Sequence, residues 1–399
     1  MGLPDLASKA AGFDAILAHH AEAALLARYA LPGRPRPPVI YCAHTLLEQE
    51  LPEYFKSSRS SVFSSRLDTS TGAGNAPGAS GRASVESAAA AQPGSSGSHP
   101  IRGMTQRAIA RFGRVIDRRI AASCDGWIAL TQSSARVMRA SSDAPGRLIA
   151  PPVPATHDAE RGQSSSPSPA RDPRHDAAAI ARSHGLQPGR YFLYAGNLDP
   201  YQALPLLEAV AQRRCGAAGD ERDGRGVRED GRQEWIPEDG PPPRPLLPIV
   251  IATHDERAPA FAARIGRAGL RGLIVCRVRS AGEAAALLAG ARASIVPRRS
   301  LGGFPIKLAN SLAAGIPVVA LHGAEWGLVD GREALIGDPA DRVGSLARAL
   351  DRLELDPALA ARLGEGARAT HRRQHDPARV AAETLALVAE LAERSKRRD

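Results

Sequence analysis

Five short apolar runs, at 191–195, 247–252, 273–277, 293–297 and 316–321, are separated by helical patterns at 203–213, 256–267, 281–290 and 305–314. This alternation limits the fold more tightly than any other feature of the chain. A strand that returns through a helix lies parallel to the last one, so the region predicts a parallel sheet with helices on both faces. Inside it, Pro297 to Ala320 reads P-R-R-S-L-G-G-F-P-I-K-L-A-N-S-L-A-A-G-I-P-V-V-A. Gly302 and Gly303 carry no Cβ and allow a ligand close to the backbone. Pro305 suits a first helical turn, Ile306, Ala309, Leu312 and Ala313 recur at helical spacing, and Gly315 stops the helix. A helix opened by two glycines aims unpaired N–H groups outward, which suits phosphate, and Lys307 lies in that turn. A tight βα turn and a solvated lysine are the alternative readings.

The 399 residues leave room for two domains. The first, 1–155, is expected to hold strands at Phe13 to Ala18, Val39 to Ala43 and Gly126 to Thr131. Helices are expected at Ala21 to Tyr29, Met104 to Ala121 and Ser133 to Arg139. Residues 156–189 form a linker, 190–375 the second domain, and 376–399 a final helix, preceded by helices at 341–353 and 357–369. Ser57 to His99, Asp158 to Arg174 and Gly216 to Pro245 are rich in Ser, Gly, Pro and charge and read as disordered. The expected insertions are therefore 57–99 and 216–245.

The net charge is +10, but the basic residues are scattered and only Lys9, Lys56, Lys307 and Lys396 are lysines. With few aromatic residues for base stacking, this argues against a specific nucleic-acid partner and favours an anionic membrane surface. Cys42, Cys124, Cys215 and Cys276 form no C-x-x-C pair and read as reduced thiols. There is no signal-peptide pattern and no apolar run of roughly 20 residues. The expected location is cytoplasmic, at most peripheral to the inner face of the plasma membrane.

The glycine block resembles the signature of GT-B-fold glycosyltransferases of family 4 (glycosyltransferase group 1), E-G-F-G-x-x-x-x-E-A-M-A-x-G-x-P-V. Ser311 to Ala320 fits its second half, while Gly302 and Asn310 stand where the pattern has glutamates. Tyr191 to Gln202 resembles the strand and loop that open the family's C-terminal domain, and Gly327 to Asp341 with the run to Arg368 resembles a later segment. Together these cover most of 190–371. The resemblance implies an α/β protein with two Rossmann-like, doubly wound parallel-sheet domains facing a cleft. The last helix would cross back onto the first domain. That domain is expected to be incomplete, because the usual opening strand and Gly-rich loop are not found.

The implied reaction moves a sugar from a nucleotide-sugar donor to a glycan, lipid or small-molecule acceptor, with retention and with no metal or other cofactor. Fixed donors would stabilise the departing diphosphate. By resemblance, the donor site comprises Gly196, Asn197, Gln202, Arg298, Gly302, Gly303, Phe304, Lys307 and Asn310, with Arg299 behind Arg298. Asn197 and Gln202 stand where the family has cations, which leaves Lys307 as the best charge. Asn310 would meet the ribose as an amide. His44, at the end of the Val39–Ala43 strand, is either a substrate contact or a structural residue, with Thr45 and Glu48 near it. The pair His19–His20 lacks a third metal ligand at suitable spacing. His254 and Asp255 are candidates to line the nucleotide pocket. A second reading is a non-catalytic nucleotide-binding or assembly subunit, motivated by the neutral Asn197, Gln202 and Asn310. An epimerase would need acid/base carboxylates that cannot be identified, and a dinucleotide oxidoreductase would need G-x-G-x-x-G.

Overall fold

The computed structural model describes residues 13–30, 36–52, 100–155, 173–199, 202–220, 225–227, 233–235, 246–298 and 301–397. The expected insertion 57–99, residues 156–172 of the expected linker and Arg299 lie outside the described residues. The chain forms two compact units, 46–117 and the remainder.

In the larger unit, β1 (Ile16–His19), β2 (Val39–Ala43), β3 (Gly126–Ala129) and β4 (Gly146–Leu148) form a parallel sheet in that order. All five residues of β2 are buried, as expected of a β-branched and aromatic run covered on both faces. In chain order the helices α1 (His20–Ala30), α2 (Pro100–Ser123), of which only the residues from Arg118 belong to this unit, and α3 (Gln132–Ser141) fall between these strands. Thr131 caps α3 by accepting the Ser134 N–H. Next come α4 (Pro173–Ser183), β5 (Phe192–Ala195), α5 (Leu204–Asp220) and an antiparallel hairpin of β6 (Arg225–Val227) and β7 (Gln233–Trp235). Helix α5 and the hairpin correct the reading of 216–245 as wholly disordered: where this stretch is described, it is ordered. The remaining residues of that stretch lie outside the described ones.

The second sheet adds β8 (Ile249–Thr253), β9 (Leu273–Arg277), β10 (Ala293–Val296), β11 (Val318–Ala320) and β12 (Ala334–Ile336). Its order is β12-β11-β10-β5-β8-β9, all parallel. Helices α6 (Ala258–Arg267), α7 (Ala281–Ala289) and α8 (Ile306–Ala314) connect its strands. Ser280 caps α7, its hydroxyl accepting from the Glu283 N–H, while the Glu283 carboxylate accepts from the Arg279 N–H just before the cap. The core is built by β5, β8, β10 and β11 against α5 and two closing helices, α9 (Arg342–Leu355) and α10 (Pro357–Gln374).

The last helix, α11 (Pro377–Lys396), buries Val380, Leu387 and Leu391 with Ile40, Cys42 and Ile128 of the first sheet and Ile149 just after β4. Gly126 makes this possible: a Cβ there would lie 2.6 Å from Leu391 Cδ1. The two chain crossings between the sheets are tied together. His371 Nε2 is 2.7 Å from Val153 O, His375 Nδ1 is 2.9 Å from Pro151 O, and the Val153 N–H donates to His375 O at 3.0 Å.

In the smaller unit, a helical turn at 47–52 starts on the Asp117 carboxylate, which accepts from the Leu47 and Glu48 N–H groups at 3.0 Å each. Glu48 pairs with Arg114. Among the described residues, no helix is long and apolar enough to cross a membrane.

Candidate functional site

The second sheet reverses its direction of growth between β5 and β10, since later strands are added outward from each. In such sheets the crevice at the carboxyl ends of the two central strands is the natural ligand site. The loop after β5 begins at Gly196, and the segment after β10 runs through Arg298 to the glycine pair. The topology therefore brings together the two segments selected from the sequence.

Lys307, in the first turn of α8, is the centre of this crevice. Its ammonium donates to Gln202 Oε1 at 2.6 Å and stands 4.2 Å from the centroid of the Tyr194 ring. A Cβ at Gly196 would lie 2.9 Å from Nζ, so glycine leaves the room that the ammonium occupies. The Tyr194 hydroxyl donates to Asn197 O at 2.8 Å and fixes the loop. Among the described residues, no carboxylate pairs with Lys307. Burial, and then the charge of Arg298, lower its pKa to about 7. Pro305 occupies the N-cap rather than the expected first turn, with an extended backbone and no side-chain cap. Gly315 ends α8 in the left-handed region at φ 68°.

Gly303 is also left-handed, at φ 67°, and a Cβ there would meet Thr45 Cγ2 at 2.6 Å and His44 O at 3.2 Å. The glycine loop of the second sheet thus closes on the end of β2. Phe304 is buried and packs near His375, with ring centroids 5.2 Å apart. Gly302 is buried, Arg298 is half-buried, and Asn310 is exposed on α8, three residues beyond Lys307.

His44 caps β2, and His19 Nδ1 is 2.8 Å from His44 Nε2. The His20 ring lies 4.6 Å from that of His44. Burial, His20 and His19 together lower the His44 pKa to about 4. Among the described residues, no cluster of metal-ligand type could hold an ion. Sequence reading paired His19 with His20 but missed the third ring. The register of β1 on β2, which aligns His19 with Cys42, brings His44 just beyond the strand end up to the pair.

Asp255 ties the loops around the crevice: its carboxylate accepts from the Leu198 N–H at 3.2 Å and pairs with Arg257, which also pairs with Asp199. These hydrogen bonds hold the Asp255 carboxyl well below its usual range. His254 is exposed. Glu325 was not foreseen. It is buried and accepts from the Ser133 N–H at 2.7 Å, joining the start of α3 to the loop after β11. A cavity of about 600 Å³ lies at the opposite, amino-terminal ends of the first sheet's strands, lined by Arg36, Asp125, Arg139 and Arg394. It contains none of the candidate residues.

Solved structures share this architecture. HepE of Anabaena in complex with UDP aligns over 96% of this chain and 81% of its own, with 15% identity and a TM-score of 0.58. Sucrose-phosphate synthase from Thermosynechococcus elongatus aligns over 98% and 77%, with 14% identity and a TM-score of 0.60. A glycosyltransferase from Rickettsia africae aligns over 98% and 80%, with 10% identity and a TM-score of 0.56. The chain has the GT-B fold. Residues 244–356 of this GT-B chain match the family described as Glycosyl transferases group 1. Curated protein sequences give no match. The matched segment runs from the residues before β8 to the start of α10 and includes Lys307 and the glycine pair.

Proposed function

We propose that this protein transfers a glycosyl group from a nucleotide-sugar donor to an acceptor hydroxyl, as a member of glycosyltransferase family 4. The observation that carries the reading is the Lys307 ammonium. It has no carboxylate partner among the described residues and lies at a glycine-opened helix start, in the crevice where the second sheet reverses. The match of 244–356 to Glycosyl transferases group 1 and the likeness to HepE, whose structure contains UDP, support it.

In this reading, the donor diphosphate lies over Gly302 to Lys307. Backbone N–H groups of Gly303 and Phe304 and the Lys307 ammonium meet the charge that grows on the leaving group. Arrival of a dianion offsets the desolvation that lowers the Lys307 pKa, so the side chain takes up a proton as the donor binds. Asn197 and Gln202 hold the crevice by hydrogen bonds, and Asn310 meets the ribose. The transfer is proposed to retain anomeric configuration. The acceptor enters from the first sheet, at His44. A site at the inner surface of the plasma membrane and a metal-independent reaction belong to the same proposal.

The test is release of nucleoside diphosphate from a panel of nucleotide sugars by the full chain, alone and with Lys307→Ala. Release that depends on Lys307 is expected. Nucleotide binding without any release supports the second reading, a nucleotide-binding subunit, which the neutral Asn197 and Gln202 favour. Absence of both binding and release would end the proposal.

A further inference from the structure

Three imidazoles meet at the carboxyl ends of β1 and β2, beside the glycine loop, and the donor reading uses only one of them. His19 and His20 are exposed, whereas His44 is half-buried. Among the described residues, no carboxylate pairs with any of the three rings. The charges that bear on His44 are those of His20 and His19, while Glu22 in the first turn of α1 is exposed and the Gly302–Phe304 loop adds no ionisable group. His20 is held in the left-handed region at φ 69°, which a branched or ringed side chain adopts at a cost in stability. Rings brought together in this way repel one another once protonated, and an anion relieves that repulsion.

We propose that His19 and His20, backed by His44, bind an oxyanion carried by the acceptor, either a phosphate ester or a carboxylate. The hydrogen-bond chemistry gives each ring a role. His44, kept neutral, offers its Nε2 lone pair to the Nδ1–H of His19. An imidazolium at His19 then has its Nε2–H left for the incoming oxyanion, and His20 adds a second donor. His20 is also the first residue of α1, where free backbone N–H groups favour negative charge. The anion site adjoins Gly303, whose missing Cβ lets His44 O and Thr45 approach. The word acceptor rests on the transferase reading, but the anion site does not.

The test uses the intact chain with its histidine rings isotopically labelled for NMR. Inorganic phosphate and acetate are titrated separately at constant ionic strength, with UDP binding measured in parallel. Saturable shifts of the His19 and His20 resonances are expected. Phosphate affinity should fall about tenfold or more in His19→Gln/His20→Asn, where asparagine tolerates the left-handed backbone. A response to phosphate alone assigns a phosphate ester, and an equal response to acetate assigns a carboxylate. Phosphate held at Lys307 would persist in the histidine variant and leave these resonances unmoved. If neither anion gives a saturable shift in the unaltered chain, the inference is overturned. Failure of UDP to bind, with the histidine response intact, would instead remove the transferase reading and leave this one standing.

Discussion

The ends of the two sheets present contrasting bases. At the second sheet, burial and Arg298 bring the Lys307 pKa down to about 7. At the first, burial and two neighbouring rings bring His44 down to about 4. The physical cause is shared, since desolvation leads in both cases, but the consequences differ. Lys307 sits where a bound anion can restore its full charge near neutral pH, while His44 stays neutral and serves as a hydrogen-bonding partner. A depressed pKa thus produces an ion-responsive cation in one place and a fixed polar group in the other. What separates them is the group's ordinary pKa, not the degree of burial alone.

The contrast can be broken most directly at Lys307. Lys307→Ala should weaken nucleoside-diphosphate binding by about 1.5–3 kcal/mol, as for a hydrogen bond to a charged group. Unchanged affinity by calorimetry, with the variant folded, would remove the cation from the site. At the junction of the two ends, Gly303→Ala places a Cβ against Thr45 in a left-handed residue and should cost about 1–3 kcal/mol of stability. Adding Thr45→Ser should recover only the steric share, as read from denaturant melts. A loss that Thr45→Ser does not touch at all would mean that the ends are not in contact.

A smaller signal is expected in the pH dependence of stability, because both groups are half-buried and solvent screens part of each effect. Lys307 binds its proton less tightly folded than unfolded, so stability should rise with pH from about 7 toward the ordinary lysine value of 10.5. His44 should do the same between about 4 and 6.5. Lys307→Met should flatten the first window only, and His44→Asn the second. If one substitution altered both windows, the sites would be coupled rather than independent. The smallest effect is assigned to the exposed Asn310: Asn310→Ala should cost no more than about 1 kcal/mol in nucleotide binding. A larger loss would make it a principal ribose contact.

Val39–Ala43, buried on both faces, was legible because its apolar run is unbroken, and the edge strand Leu273–Arg277, partly exposed, also falls where the pattern put it. Strands β4 and β12, of three residues each, carry too short a pattern to stand out. In the crevice, Lys307 and the glycine pair could be read because a helix opening has a local signature. Tyr194 beneath the ammonium could not, since a buried strand tyrosine looks like core until the fold places β5 beside β10. The joining of His19, His20 and His44 was hidden for the same reason. Strand register brings together residues 25 apart, and no local spacing encodes register.

The central claim is that Lys307 is a poised cation which an arriving diphosphate charges. Calorimetry of UDP binding at about pH 8, in buffers of different ionisation enthalpy, counts the protons exchanged. The account predicts uptake of close to one proton per UDP, lost in Lys307→Met. Binding of UDP with no proton uptake, or with uptake that survives Lys307→Met, would contradict it.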